Sequence, residues 1–296
     1  MTETERKQII ALVQREVVPA IGCTEPIAVA LCVAKATETL GAKPEKIDVL
    51  LSANILKNAM GVGIPGTGMI GLPIAVALGA LIGKSEYQLE VLKDSNPDAV
   101  NEGKRFIGEK RINISLKEDI TEKLYIEVCC EAAGNKATAI IAGGHTTFIY
   151  IARNDDVFLN KQNTSCGETE EQTVDLTLRK VYDFAMNAPL DEIRFILETA
   201  RLNKAAAERS FDGNYGHGLG RMLRGTYEHK ILGDSVFSHI LSYTSGACDA
   251  RMAGAMIPVM SNSGSGNQGI SATLPVLVYA EENGKSEEEL IRALML

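Results

Sequence analysis

The chain has 296 residues, of which 45% are hydrophobic and 23% are charged, which is typical of a folded globular protein. Its formal net charge is −8 and no basic run exceeds a few residues, so nothing favours a nucleic-acid partner or an anionic membrane surface. The charged N-terminus has no apolar signal-peptide core and no apolar run is long enough to span a bilayer. We therefore expect a cytoplasmic protein whose six cysteines are thiols or metal ligands rather than disulfides.

The first two predicted helices flank a short turn that is rich in chemically active residues. Apolar residues at helical spacing predict a helix over residues 4–17. The motif GCTEP (22–26) follows, and its proline favours the start of a second helix that runs to about residue 40. Cys23 then lies just before a helix N-terminus, where the dipole and free N–H groups lower the pKa of a thiol. Such a thiolate is a nucleophile or a metal ligand, and an equally weighted alternative is a small residue packed in a tight turn.

A glycine-rich stretch over residues 54–71 follows a predicted strand at 46–52. It contains Lys57, Asn58 and Thr67, and an apolar helix is predicted directly after it, over 72–82. Its glycine spacing resembles a dinucleotide-binding loop only weakly, because no ribose-binding acid follows at the required distance. We interpret it as backbone that shapes a small-ligand pocket.

The next part of the chain predicts a small antiparallel sheet. After a helix at 87–107, strands are expected at 111–116, 124–132, 136–142 and 146–152. We expect three cysteines of this half to belong to the core: Cys32, Cys129 and Cys130. His145, on the turn Gly-Gly-His-Thr (143–146), is a candidate general base or hydrogen-bond donor. A histidine that only satisfies the turn is an alternative with at least equal support.

The polar stretch from Asn160 to Glu171, which contains Cys166, predicts a linker. We therefore expect a mixed α/β domain at 1–160 and a helical domain at 161–296, which together make an α+β fold. Helices are predicted near 174–186, 190–207, 215–226, 231–247 and 270–280, and from 287 onward. Three histidines of this half, His217, His229 and His239, lack metal-ligand spacing and are expected to be solvated or core residues. Apolar positions on the last helix, including Ile291 and Leu296, are expected to be exposed and favour association into a homo-oligomer.

The loop Ser-Asn-Ser-Gly-Ser-Gly-Asn-Gln-Gly (261–269) looks least like regular structure. It offers backbone N–H groups, hydroxyls and amides but no permanent charge, and its glycines allow close backbone approach to a ligand. The helix predicted directly after it would add an N-terminus that attracts anions such as a carboxylate. No Gly-Lys-Ser/Thr follows, so a nucleotide phosphate is not favoured. The alternative is an ordinary connection between two core helices.

Five blocks, in this order, closely resemble the L-cysteine desulfidase family, whose members are relatives of the alpha domain of iron–sulfur L-serine dehydratases. The blocks are GCTEP (22–26), KNAMGVGIPGTGMIGLPIAVALGAL (57–81), EVLKD (90–94), GGHT (143–146) and DARMAGAMIPVMSNSGSGNQGI (249–270). The resemblance covers nearly the whole chain. It implies a lyase that needs no pyridoxal phosphate and converts L-cysteine to pyruvate, ammonia and hydrogen sulfide.

The resemblance also implies a [4Fe-4S] cluster held by three cysteines, with one iron left open to take the leaving thiolate. Cys23 matches one of these ligands. The family's other two ligands follow the motif Ala-Leu-Met-Leu (293–296), where this sequence stops. We therefore expect a chain truncated at its C-terminus, or a second chain that completes the set. Cys248 is not counted as a substitute, because relatives can carry serine at that position.

β-Elimination needs a base for the Cα proton, groups that hold the amino acid, and an acceptor for the leaving group. The candidates for proton transfer and charge pairing are Glu25, Lys57, His145, Asp249 and Arg251. The candidates for substrate binding are Asn58, Thr67, Ser261, Asn262, Ser263, Ser265, Asn267 and Gln268. The substrate is expected to be L-cysteine. The alternatives are an L-serine dehydratase, or a catalytically incomplete fragment that binds a small amino acid or a partner chain.

Overall fold

The computed structural model describes residues 1–118, 120–161, 176–225 and 232–296. The described α-helices are α1 (Glu3–Glu16), α2 (Thr24–Leu40), α3 (Ala53–Ala59), α4 (Leu72–Leu81), α5 (Pro97–Gly108), α6 (Leu178–Asn187), α7 (Leu190–Ile193), α8 (Leu197–Asp212), α9 (Leu219–Met222), α10 (Val236–Met252), α11 (Gly266–Glu282) and α12 (Glu287–Met295). The strands are β1 (Pro19–Ile21), β2 (Lys46–Leu51), β3 (Ile112–Leu116), β4 (Tyr125–Ala132), β5 (Asn135–Ala142), β6 (Phe148–Arg153), β7 (Asp156–Asn160) and β8 (Pro258–Met260). The predicted α+β fold is confirmed.

The chain forms two compact units. One, which we call the sheet unit, comprises Ala20–Gly167 and Met252–Ile257. The other, the helical unit, comprises Met1–Pro19, Glu168–Arg251 and Pro258–Leu296. The sequence-based division into domains at 1–160 and 161–296 stays a prediction.

The sheet unit contains a six-stranded sheet in the order β3-β2-β4-β5-β6-β7. All neighbouring strands are antiparallel except β2 and β3, which are parallel. The expectation of a purely antiparallel sheet was therefore wrong at this pair. The long connection through α3, α4 and α5 provides the crossover that a parallel pair requires. Strand β7 was not predicted, and it pairs with β6 through a turn in which Asn154 has a φ of 49°.

Helix α2 packs against β4 and β5 and is buried on nearly all sides. Along β4, Ile126, Val128 and Cys130 are buried, whereas the alternate residues are only partly covered. Cys129 is one of those alternate residues, so its predicted place in the core was wrong. Adjacent residues of a strand point to opposite faces, and both cysteines cannot face α2.

Only the second half of the predicted helix over 87–107 is an α-helix. Residues Ser85–Glu90 form a 3₁₀ segment in which Gln88 has a φ of 49°. Helix α5 begins anew at Pro97, where the side chain of Asn96 accepts a hydrogen bond from the Ala99 N–H. An asparagine cap followed by proline is a strong start signal that overrides the continuous pattern.

In the helical unit, α1, α6, α7 and α12 share an apolar core. Its buried members are Ile9, Phe184, Ala185, Ala188, Ile193, Ile196, Ile291 and Met295. Ile291 was expected to be exposed and is fully buried, because one face of α12 packs into this core. Leu296 remains 59% exposed.

The bounds of several other helices in this unit differ from the predicted ones. The helix over 190–207 is divided by a 3₁₀ segment at Arg194–Ile196, and the helix over 215–226 is limited to α9 among the described residues. The helix expected from residue 270 begins at Gly266, because Ser265 caps it by accepting a hydrogen bond from the Gln268 N–H. None of the described helices has both the length and the apolar character needed to cross a membrane.

Candidate functional site

Cys23 occupies the N-cap position of α2 in the sheet unit. Gly22 precedes it with a φ of 80°, and a Cβ there would lie 2.4 Å from the ring of Pro65. Cys23 is 7% exposed, and its thiol donates a 3.1 Å hydrogen bond to Oε2 of Glu25, in the first turn of the same helix. The predicted position of Cys23 at a helix N-terminus is thus part of a local thiol–carboxylate pair.

The second carboxylate oxygen of Glu25 is also engaged. Oε1 accepts a 3.2 Å hydrogen bond from Nδ2 of Asn58, which α3 positions. Burial by itself would raise the pKa of Glu25, but the hydrogen bonds from Cys23 and a backbone N–H, an electrostatic interaction with His145 and the hydrogen bond from the Asn58 amide together lower it. Glu25 is therefore a carboxylate at neutral pH.

His145 lies in the turn between β5 and β6 and interacts electrostatically with Glu25. Burial lowers the pKa of His145 below its usual range, although the Glu25 charge opposes that shift. A neutral imidazole beside a carboxylate can accept a proton at neutral pH. We call Cys23, Glu25, Asn58 and His145 the Cys23 cluster.

Two other predicted residues of the sheet unit have different surroundings. Lys57 is exposed on α3. The Thr67 hydroxyl donates to the Ile64 carbonyl at 2.7 Å and accepts from the Met69 N–H at 2.9 Å. Thr67 thus closes a turn within its own loop, and the structure gives its hydroxyl an internal role.

The glycine-rich stretch packs against the segment 252–257 of the same unit. The Gly63 N–H donates to the Met252 carbonyl and the Gly66 N–H donates to the Gly254 carbonyl, at 3.0 and 3.1 Å. A Cβ on Gly63 would lie 2.5 Å from the backbone of Ala253. Backbone-to-backbone contact explains why this stretch is rich in glycine.

In the helical unit, residues 261–268 form a turn that leads into α11; we call it the amide loop. The N–H groups of Asn262 and Ser265 each donate to the other residue's carbonyl. Ser261 is fully buried, and both its N–H and its hydroxyl donate to the Val18 carbonyl. Ser263 and Gln268 are exposed. The structure therefore gives Ser261 an anchoring role and leaves other loop residues accessible.

Arg251, at the end of α10, reaches the first turn of α11. It is 3% exposed, and its Nη1 donates a 2.9 Å hydrogen bond to Oδ1 of Asn267. A Cβ on Gly266 would lie 2.3 Å from Nε of Arg251, so a larger residue would displace the guanidinium. A buried cation and a helix N-terminus both favour a bound anion.

Asp249 has structural partners. One carboxylate oxygen accepts from the His217 N–H at 3.2 Å and the other accepts from the Leu219 N–H at 2.9 Å. These bonds cap the short helix α9. Since both oxygens are occupied by backbone groups, Asp249 fits a structural role better than proton transfer.

Asn203 was not predicted. It is fully buried on α8 and bonds to the residues on both sides of the amide loop. No sequence signal marks it, because one asparagine in a helix is usually solvated.

The donor atoms near Cys23 are a carboxylate, an amide and an imidazole, whereas a [4Fe-4S] cluster requires several thiolates. Among the described residues, no group of three histidine, cysteine or acidic side chains is arranged to hold a metal. Burial raises the pKa of Cys130 to about 12 and also raises that of Cys32, so these thiols are poor ligands. Cys166 lies outside the described residues. The described donor set therefore does not fit a cluster.

A family model described as serine dehydratase alpha chain matches residues 86–296. A UPF0597 protein of Bacteroides fragilis is 86% identical over 296 residues, which is 100% of this chain and 69% of the relative. UPF0597 proteins of Bacteroides thetaiotaomicron and Vibrio campbellii are 79% and 44% identical, with 100% and 98% of this chain covered and 69% and 68% of the relatives. No solved structure matches. The family match includes His145, Arg251 and the amide loop, and the chain belongs to the serine dehydratase alpha chain family.

Proposed function

We propose that this protein is a lyase that acts without pyridoxal phosphate and eliminates the β-substituent of a small L-amino acid. Its substrate is L-cysteine, and its products are pyruvate, ammonia and hydrogen sulfide. The observation that carries the proposal is the hydrogen-bonded Cys23–Glu25–Asn58 arrangement with the neutral His145 beside it. The family match and the resemblance of GCTEP and GGHT to desulfidases support it.

The reaction balances without an external oxidant or reductant. A base removes the Cα proton of L-cysteine while the Cβ–S bond breaks, and the sulfur leaves with a proton as hydrogen sulfide. The remaining aminoacrylate becomes an imine, which water hydrolyses to pyruvate and ammonia. His145 is our candidate for the base, because a neutral imidazole is the active form. Glu25 is our candidate for holding the substrate ammonium, because it is ionised at neutral pH. The proton that His145 takes from Cα is the one available to the leaving sulfur.

We propose the amide loop as the element that binds the substrate carboxylate. The first N–H groups of a helix have no intrahelical acceptor, and Arg251 adds a buried positive charge at the start of α11. Asn262, Ser263, Asn267 and Gln268 offer further polar atoms. Ser265 contributes by capping the helix, which keeps its N-terminus in place.

The resemblance to desulfidases implies an iron–sulfur cluster, whose open iron would act as a Lewis acid toward the leaving group. Since the described donor set does not fit a cluster, every step above is assigned to the chain's own residues. Cys23 remains our candidate for the one cluster ligand that the resemblance implies.

L-Serine is a second candidate substrate, because the matching family is described as serine dehydratase alpha chain. The two substrates differ only in the leaving group, which is a hydroxyl in L-serine and a thiol in L-cysteine. A site that hydrogen-bonds the leaving group discriminates between them more strongly than one that recognises shape alone.

To test the proposal, the purified protein is incubated anaerobically with L-cysteine or with L-serine. Each incubation is done before and after reconstitution with iron and sulfide. Equal amounts of sulfide and pyruvate from L-cysteine, unchanged by a pyridoxal phosphate scavenger, are expected. Faster pyruvate release from L-serine would replace the proposal with a dehydratase. Thermal stabilisation by either amino acid without product would indicate binding alone. Loss of turnover with the scavenger would contradict the proposal.

A further inference from the structure

Asn203 is a fully buried amide in the middle of α8. Burial of an amide is costly unless its donor and acceptor find partners. All of the partners found for its side chain are backbone groups at the base of the amide loop. The residue therefore connects a rigid helix to this loop.

The contacts lie on both sides of the loop. Oδ1 accepts a 2.8 Å hydrogen bond from the Met260 N–H, while Nδ2 lies 3.4 Å from the Met260 carbonyl oxygen. The same Nδ2 donates to the Gly269 carbonyl at 3.3 Å. Met260 immediately precedes the loop and Gly269 immediately follows it, so one amide fixes both ends.

The two ends also contact each other directly. A Cβ on Gly269 would lie 2.0 Å from the carbonyl oxygen of Met260, a distance that no real Cβ tolerates. The close approach thus requires glycine at 269. Asn203 and this glycine together hold the loop in a narrow, closed form.

We infer that Asn203 is a positioning residue, which holds the amide loop in the shape that binds the carboxylate of the substrate. The identity of the ligand rests on the proposed function, whereas the restraint on the loop does not. Preorganised loops bind more tightly because less conformational entropy is lost on binding. The loss of Asn203 should therefore weaken substrate binding more than it slows the chemical step.

The test compares Asn203→Ala and Asn203→Asp with the unaltered chain. The aspartate keeps the acceptor for the Met260 N–H but removes the donor that bonds the two carbonyls. Hydrogen exchange of residues 261–268 should become roughly tenfold faster in both variants, because the loop opens locally more often. The KM for L-cysteine should rise roughly tenfold, with kcat changed less than about twofold. A matched control is Asn187→Ala, since Asn187 bonds a carbonyl in the same way but is exposed on α6.

Unchanged exchange in the loop of a folded variant would overturn the inference. So would a fall in kcat at constant KM. If both variants fail to fold, the unaltered chain still tests the inference: the Met260 amide, which donates to Asn203, must exchange much more slowly than the Gly264 amide in the middle of the loop. Equal rates at those two amides would refute the restraint. If the unaltered chain neither binds nor converts either amino acid, the proposed function is wrong. The hydrogen-exchange rates then test by themselves whether Asn203 restrains the loop.

Discussion

The thiol of Cys23 donates a 3.1 Å hydrogen bond to the carboxylate of Glu25, two residues further along the chain. The bond forms because Cys23 is the N-cap of α2 and Glu25 belongs to its first turn. An N-cap side chain usually accepts from a backbone N–H of this turn. Here the cap side chain is a donor to an acid that the N-terminus of the helix itself stabilises.

Glu25→Gln is the most direct test of the cluster. The amide has nearly the same shape but no negative charge, so it cannot pair with an ammonium group or exchange a proton. We expect pyruvate formation from L-cysteine to fall about 10²-fold or more. Steady-state kinetics measure the loss, and circular dichroism verifies the fold. The matched control is Glu86→Gln, an exposed glutamate in the 3₁₀ segment of the same unit, which should keep full activity. Equal activity of the two variants would remove Glu25 from the reaction.

His145 predicts a particular dependence of rate on pH. Since its pKa is below the usual value of about 6.5, the imidazole stays neutral to a lower pH than an ordinary histidine does. Only the neutral base is active. We therefore expect kcat/KM to stay constant from pH 8 down to below this usual pKa and to decrease only in more acidic buffer. His145→Gln should lose about 10²-fold in rate and also lose this acidic limb. A limb that persists unchanged in the variant would assign it to another group.

Helices α2 and α4 pack closely against each other at Gly79. A Cβ on Gly79 would lie 2.6 Å from the carbonyl oxygen of Ala30, which is backbone in a buried helix and cannot move aside. Gly79→Ala should therefore lower the free energy of unfolding by about 1–3 kcal/mol, as overpacking does. Urea denaturation measures the change.

The control for this variant is Gly108→Ala at the end of α5, where a Cβ meets nothing within 4 Å. Alanine restricts the unfolded chain, so this variant should be unchanged or stabilised by about 0.5–1 kcal/mol. A lower free energy of unfolding in Gly79→Ala but not in Gly108→Ala would identify the helix contact as the cause. A similar loss in both variants would contradict it.

Local chemistry made several of these features predictable. The turn before Cys23 and the helix after it are predicted by a glycine, a proline and the spacing of the apolar residues, all within a short stretch of sequence. The start of α11 was misplaced by four residues, because Ser265 was assigned to the loop although serine is also a strong cap. Most signals carried by neighbouring residues were thus found, although the caps that start α5 and α11 were missed.

Contacts between distant residues were not predictable in the same way. The bond between Asn58 and Glu25 joins residues 33 positions apart, and Asn58 was expected to bind substrate directly. The partners of Asn203 are 57 and 66 positions away. A side-chain amide has no periodicity or spacing that identifies its partner, so only the fold determines it.

His239 bridges two carboxylates in the helical unit. Its Nε2 lies 2.6 Å from Asp234 and its Nδ1 lies 2.7 Å from Glu282, at the end of α11. Only the protonated ring can donate to both acids at once. The hydrogen bond to Glu282 is the largest cause that raises the pKa of His239, and burial opposes it.

The sign of the pH effect follows from this raised pKa. The bridge stabilises the fold below the unfolded pKa of about 6.5, provided that both acids are ionised, and its contribution disappears as pH rises through the higher folded pKa. Near pH 6, His239→Gln should lose about 1 kcal/mol, a value kept small by solvent screening of the exposed Asp234. Near pH 9 the two proteins should have equal melting temperatures. The double variant Asp234→Asn, Glu282→Gln is the control, since a histidine without these acids should show no such trend. A constant difference between pH 6 and 9 would mean that His239 contributes by packing rather than by charge.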